Sequence, residues 1–233
     1  FEQREVINIS SGKIYSAISN LNIDNADRFL NVFHARFRDA NNAYTYVDEY
    51  FYSIDLTINL LLENLYEDGY MRKAQNEAGD NFLGTIADTV TIQIREGTAP
   101  YKVLLNFHGV ELNTDGSCHL QQHGNNFANL PDENNTTYYL VIRHRNSVET
   151  WSQAVPIGQE SSYNFTDAET KAYGNNLKHV NEVYLIFGGD VNQDGVVDTA
   201  DITPVDNDSA NYLSGYLVSD VNGDGIVDTG DMT

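Results

Sequence analysis

Residues 190–201 read Asp-Val-Asn-Gln-Asp-Gly-Val-Val-Asp-Thr-Ala-Asp, and residues 220–231 read Asp-Val-Asn-Gly-Asp-Gly-Ile-Val-Asp-Thr-Gly-Asp. This duplicated segment constrains the fold more than any other part of the chain. Oxygen side chains stand at loop positions 1, 3, 5, 9 and 12, with glycine at position 6. That pattern is the one by which a short loop wraps a calcium ion, which takes about six to eight oxygen ligands in a flexible shell. In the first loop Asp190, Asn192 and Asp194 project alternate side chains toward one point. Gly195 supplies the sharp turn, the carbonyl of Val196 faces the ion, and Asp198 and Asp201 close the shell. The second loop repeats the set with Asp220, Asn222, Asp224, the Ile226 carbonyl, Asp228 and Asp231. One D-x-N-x-D-G is an ordinary acidic turn in many chains. Two in register, each with acids at positions 9 and 12, predict two Ca2+ sites. The apolar residues at position 8, Val197 and Val227, are expected to pair the two loops face to face.

Charge narrows the partners. The 233 residues carry a net charge of −21, so nucleic acid and anionic membrane are poor partners. The single cysteine, Cys118, excludes an intrachain disulfide. No run approaches the roughly 18–20 apolar residues of a membrane-spanning helix, so no membrane insertion is expected. The sequence starts at Phe1 without a signal peptide and stops two residues after the second loop, as if cut from something longer.

Alternating apolar and polar residues, broken by Asn-, Gly- and Asp-rich turns, predict a mostly β chain of antiparallel β-sandwich modules with a small C-terminal calcium module. Residues 1–54 read as a small β module, with strands at Val6–Ile9, Phe29–Arg38 and Val47–Ile54. Residues 55–188 read as a β-sandwich, with strands at Leu56–Leu65, Thr89–Arg95, Lys102–Phe107, Tyr138–Arg145, Ser161–Phe165 and Glu182–Phe187. Glu67–Gly84 and Asn113–Asn135 are expected to be loops, and Glu169–Tyr173 a single helical turn. Residues 189–233 form the calcium module. In it Thr203 reads as a helix N-cap, Pro204 as the first helical residue, and Gly215 as the stop after Leu213.

The 189–233 segment resembles a dockerin module, the duplicated loop–helix unit that docks onto cohesins. Gly189-Asp190-Val191-Asn192-Gln193-Asp194-Gly195 and Asp220-Val221-Asn222-Gly223-Asp224-Gly225 carry the likeness. Pro204 departs from it, because a proline breaks a helix running straight out of loop one. No exit helix follows loop two, so the second site is expected to bind more weakly. Positions 10 and 11, Thr199-Ala200 and Thr229-Gly230, name no cohesin-like partner. Upstream, Tyr138–Ser152, with Tyr173–Lys178 and Asp206–Tyr212, is similar to large bacterial secreted surface proteins. In these a transthyretin-like sandwich precedes a dockerin-like tail. Phe33–Asp39 with Phe51-Tyr52 resembles a small β module that often comes just before, with Tyr44 where that module usually has tryptophan. The resemblance implies export to the cell surface, often by type IX secretion, and no defined activity.

Other constellations are weaker. Cys118, His119 and His123 lie close enough in sequence to suggest zinc or copper. His144 and Glu149 flank Trp151 as a candidate acid–base pair. Trp151 with Tyr44, Tyr46, Tyr50, Phe51 and Tyr52 suggests a glycan-stacking platform. No nucleophile elbow, phosphate loop or HExxH is present. The expectation is therefore a non-catalytic, extracellular, calcium-binding structural or interaction protein. Phe1–Ser10, with Ile7 and Ile9 alternating against Val6, Asn8 and Ser10, would pair with a neighbour's sheet edge to build a fibre or sheath of like subunits. The alternative is a glycan-binding or scaffold-docking region of a larger secreted polysaccharide-degrading enzyme.

Overall fold

The computed structural model describes residues 30–38, 44–124, 136–156 and 162–232. Its strands are β1 (Leu30–Arg38), β2 (Tyr44–Asn59), β3 (Tyr66–Glu67), β4 (Tyr70–Met71), β5 (Gln75–Asn76), β6 (Gly79–Asp80) and β7 (Ile86–Glu96). They continue as β8 (Val103–Asn113), β9 (Ser117–Gly124), β10 (Tyr138–His144), β11 (Ser147–Trp151), β12 (Ser162–Asn164), β13 (Lys178–Val180) and β14 (Val183–Leu185). The chain is mostly β, as expected. Eight strands form one curled sheet in the order β1-β2-β9-β8-β7-β10-β11, with β12 running parallel to β2.

Alternation builds the core. Val90, Ile92 and Ile94 of β7 are buried at every second position, while Thr89 and Thr91 on the other face are half-buried and Gln93 there is buried. On β10 Tyr138, Leu140 and Ile142 do the same. These stripes meet Leu56, Ile58, Leu112, Leu120 and Phe165 in one apolar cluster. Each such side chain contributes about 1.5–3 kcal/mol when fully buried. Both inward stripes end in polar groups: Asp88 precedes Val90 on β7, and His144 follows Ile142 on β10. Asp88 is 0% exposed and His144 is 4% exposed.

Several expected elements lie elsewhere. The boundary expected between 54 and 55 falls inside β2, which runs unbroken from Tyr44 to Asn59 and pairs with both β1 and β9. The supposed loop 113–135 contains β9. Cys118 and Leu120 face the core and His119 faces out, so the alternation is real but its outward residues are polar types with weak strand preference. Glu67–Gly84 holds the short strands β4 to β6 and the last residue of β3, and β11 and β13 had no strand assigned. The Glu169–Tyr173 turn is present as 3-10 turns at Glu169–Lys171 and Tyr173–Asn175.

The helix differs most. Helix α1 spans Thr199–Ala210 and leaves loop one directly, with Pro204 inside it. Its N-cap is Asp198, not Thr203. Asp198 accepts from the Ala200 N–H, and the N3 residue Asp201 closes a reciprocal capping box. This start outweighs the proline, whose missing N–H leaves the Ala200 carbonyl without its helical partner. The valine pairing is also absent: Val227 is 3% exposed, whereas Val197 is 51% exposed. Loop two pairs with the chain before it, through Val227 N–H to Leu213 O (3.1 Å) and Gly215 N–H to Gly225 O (2.8 Å). Val191, Val205, Val221 and Val227 form a small separate core. Among the described residues no helix is long and apolar enough to cross a membrane. Phe1–Ser10, with its proposed exchange strand, lies outside the described residues.

Candidate functional site

The two acidic loops close on themselves with largely the same hydrogen bonds; in loop one the Asp194 N–H also donates to Asp190 Oδ1 (3.1 Å), a bond with no counterpart at Asp220 Oδ1. Position 12 ties the loop together. The Asn192 N–H donates to Asp201 Oδ1 (3.0 Å) and the Asp198 N–H to Asp201 Oδ2 (2.9 Å). In loop two the Asn222 and Asp228 N–H groups donate to the two oxygens of Asp231, each at 2.9 Å. Position 1 holds position 6: Gly195 N–H reaches Asp190 Oδ2 (3.1 Å), and Gly225 N–H reaches Asp220 Oδ2 (3.2 Å). Asn192 and Asn222 accept from the N–H of Asp194 and Asp224, each at 2.8 Å. Asp194 and Asp224 in turn accept from the N–H of Val196 and Ile226, each at 3.0 Å. Gly225 sits at φ +82°, and a Cβ there would lie 3.0 Å from the Asn76 carbonyl oxygen. Eight carboxylates thus sit in two loops, and their oxygens keep lone pairs beyond those used by main-chain N–H groups.

The loops differ in their surroundings. In loop one residues 192–200 are exposed; in loop two Asp220, Val221, Gly223, Gly225 and Val227 are buried. The β10–β11 turn and the 72–75 segment hold loop two by its carbonyls. Asn146, in the β10–β11 turn, donates through Nδ2 to Val218 O (3.1 Å) and Asp220 O (3.0 Å). Arg145 Nη1 donates to Asp220 O (2.6 Å) and to Leu217 O. Arg72 Nη2 reaches Asn222 O (3.1 Å), and the Gln75 N–H reaches Gly223 O (2.9 Å). Behind Arg145 stands Asp88, with Oδ2 at 3.1 Å from His144 Nε2 and 3.5 Å from Arg145 Nε, and with Oδ1 accepting from the Tyr216 hydroxyl. Arg145 also lies over the Tyr216 ring, 4.6 Å from its centroid. Asp88 therefore joins two sheet strands to the segment that leads into loop two.

Electrostatics separates these carboxylates. Burial alone would raise the Asp88 pKa. The hydrogen bond and charge of His144, the charge of Arg145 and the Tyr216 hydroxyl overcome it and hold the group below its usual value. Asp220 goes the other way. Burial pushes it up to about 6; Arg145 and the Gly225 N–H oppose this, while Asp231 and Asp224 add to it. Asp190 and Asp231 are also raised, each by burial first. Asp220 Oδ1 is buried without a hydrogen-bond partner, an arrangement that costs about 1–3 kcal/mol unless a donor or cation meets the oxygen.

Among the described residues no group of three or more His, Cys, Asp or Glu is placed to hold a metal ion by itself. The loop donor sets are broader, each adding an Asn amide oxygen and a main-chain carbonyl to its carboxylates. They are all oxygen and suit a hard cation rather than a transition metal. The orphaned Asp220 oxygen fits the same cation.

The other predicted constellations do not assemble. Cys118 is 1% exposed and burial pushes its thiol up to about 12, while His119 faces outward beside Thr57. The side chain of His123 is outside the described part. Glu149 binds Trp151 Nε1 (2.7 Å) and Arg143 Nε (3.0 Å) rather than His144. His144 instead bridges Ser147 Oγ (2.9 Å) and Asp88. This serine–histidine–aspartate chain had no sequence motif, and Ser147 and Asp88 are both 0% exposed. A polar cleft of about 380 Å³ borders His144, Arg143, Arg145, His108 and Tyr216, but neither Ser147 nor Asp88 lines it. The chain of hydrogen bonds thus packs the sheet rather than presenting a nucleophile. Trp151 joins Tyr101, Tyr139 and Tyr173 in a run of edge-on rings with centroids 5.5–6.1 Å apart. The side chains of Tyr44, Tyr46, Tyr50, Phe51 and Tyr52 lie outside the described part.

Asp88, Arg145, Asn146 and Tyr216 escaped the sequence reading. Asp88 had one usable signal, a carboxylate in register with Val90, Ile92 and Ile94. Comparison of the chain with protein-family models, with curated proteins and with solved structures gave no match.

Proposed function

We propose that the chain is a non-catalytic, extracellular calcium-binding structural or interaction protein. Two Ca2+ ions, held by the 190–201 and 220–231 loops, would fix the C-terminal segment against the β body. The observation that carries this reading is the buried, unpartnered Oδ1 of Asp220, in a loop that shares most of its hydrogen bonds with loop one but lacks the main-chain donor that meets Asp190 Oδ1 there. Each ion supplies two positive charges to carboxylates that burial and mutual repulsion disfavour. The protein residues position the donors: Asp201 and Asp231 clamp their loops, Gly195 and Gly225 make the turns, and the N–H groups orient each oxygen. The dockerin resemblance of these loops supports the same reading and extends it to a protein partner, either a cohesin-like module or another copy of this chain in a surface fibre or sheath.

One observation favours the accessory-region alternative. Tyr173 is 62% exposed and Tyr101 is 42% exposed beside Trp151, an aromatic surface of the kind that stacks on sugar rings. Solution mass with calcium and with chelator, alongside binding and turnover of soluble polysaccharides, tests both readings. Calcium-dependent oligomers without glycan turnover are expected. Glycan binding by a calcium-loaded monomer supports the alternative, and turnover abolished by one carboxylate substitution overturns both.

A further inference from the structure

The loops have nearly the same sequence and share most of their internal hydrogen bonds, yet the rest of the chain treats them differently. Loop one stands exposed from 192 to 200. Its ties to the β10–β11 turn are the Gly189 N–H to Asn146 O (2.8 Å) and Gln193 Nε2 to Ser147 O (3.3 Å). Loop two is seated by its own carbonyls. Those of Asp220, Asn222 and Gly223 accept from Arg145, Asn146, Arg72 and the Gln75 N–H. Position 4 shows the contrast most clearly. In loop one it is Gln193 at φ +59°. In loop two it is Gly223 at φ +75°, where a Cβ would lie 2.5 Å from Leu65 Cδ2 and 3.7 Å from the Ala74 Cα. The left-handed backbone tolerates a side chain in loop one. In loop two the close approach of Leu65 and Ala74 excludes one.

We propose that the Arg145–Asn146 turn is a positioning device for the second calcium loop, which makes loop two the tighter site and the first to fill. The proposal rests on the calcium reading above and reverses the sequence expectation that the second site is weaker. A loop held in place by neighbours that are already folded loses less freedom when an ion binds than an exposed loop does. Hydrogen-bonded groups behind metal ligands change affinity by about 10–100-fold when removed. Arg145 places a positive charge near Asp220, which by itself opposes a cation. Asp88 offsets that charge from the other side, and Asn146 makes the same carbonyl contact with no charge. Asn146 is therefore the residue in which positioning can be read without electrostatics. Filling loop two would tighten the body as well, because the same carbonyls bind the body and the loop.

Calcium calorimetry on single-loop backgrounds of the full chain tests this. Asp201→Ala disables loop one and Asp231→Ala disables loop two. The Asp201→Ala protein should show the tighter site. Adding Asn146→Ala to it should weaken calcium by about tenfold or more, and should leave the affinity of the Asp231→Ala protein unchanged. Gly223→Gln, which gives loop two the residue of loop one, should weaken the same site without Asn146 being touched. Circular dichroism confirms that each variant is folded; if Asn146→Ala unfolds the chain, Gly223→Gln and Arg72→Ala carry the test. Equal affinities for the two sites, or loop-two affinity indifferent to Asn146→Ala and Gly223→Gln, overturns the proposal. Absence of calcium uptake by the unsubstituted chain overturns the calcium reading itself and is seen before any variant is made.

Discussion

Replacing Asp88 by Asn keeps the shape of the side chain and removes its charge. The structure allows the effect to be worked out. Asp88 is 0% exposed and accepts from His144 Nε2 (3.1 Å), from the Thr89 N–H (2.7 Å) and from the Tyr216 hydroxyl, with Arg145 Nε at 3.5 Å. Without the carboxylate, His144 and Arg145 lose the charged partner between them, Arg145 keeping only the influence of Asp220, and one of three acceptor contacts becomes an amide N–H facing a donor. Breaking a buried pair from one side costs about 3–5 kcal/mol, a large share of the roughly 5–15 kcal/mol that holds a typical domain together. For a chain of this size each kcal/mol lowers the melting temperature by about 2–4 °C, so a fall of roughly 6 °C or more is expected. The acid dependence gives a second handle. The folded pKa of Asp88 lies below its ordinary value. Its contribution is thus fully present above about pH 4, the unfolded value, and is lost as pH falls through the lower folded value. The asparagine variant should lack that acid-range loss. Urea unfolding followed by Trp151 fluorescence at pH 7 and at several acid pH values measures both. A stability change under about 1 kcal/mol, or identical acid profiles for the two proteins, refutes the role assigned to Asp88.

Three further outcomes are expected. Cys118, buried and raised to about 12, should not react with a thiol reagent at pH 8 until denaturant is added; rapid labelling of the folded chain would contradict its place in the core. Pro204→Ala should stabilise the C-terminal segment by about 1–3 kcal/mol, because it restores an N–H to the Ala200 carbonyl and removes a ring clash; a lower melting temperature would show that the proline fits its helix. In chelator, the raised pKa of Asp220 means that its protonated form is favoured in the folded chain, so stability should fall as pH rises from about 4 to about 6; urea midpoints that do not decline over that window would refute the burial assigned to this carboxylate.

What could be read from the sequence followed its periodicities. The stripe Val90–Ile92–Ile94 announced β7 because apolar and polar residues alternate there, and the unbroken apolar run Tyr138–Ile142 announced β10. β9 was hidden because Gln121, Gln122 and His123 resemble loop residues, and only Cys118 and Leu120 mark an inward face. The two acidic loops stood out because their spacing is local, and their internal hydrogen bonds follow that spacing. The groups that seat loop two could not, since Asn146 and Asp220 meet across 74 residues and nothing local to either marks the contact. The helix start was misread for a related reason. Pro204 and Thr203 form a plausible beginning, but Asp198 and Asp201 form a better one, and their capping role was masked by their role in the calcium pattern.

The most direct measurement is calcium titration of the intact chain by calorimetry, beside the double variant Asp201→Ala/Asp231→Ala. Two ions bound per chain are expected, none by the double variant, together with a rise in unfolding temperature on calcium addition that the variant lacks. A chain that takes up no calcium at millimolar concentration, or a double variant that binds as the original does, would contradict the calcium reading.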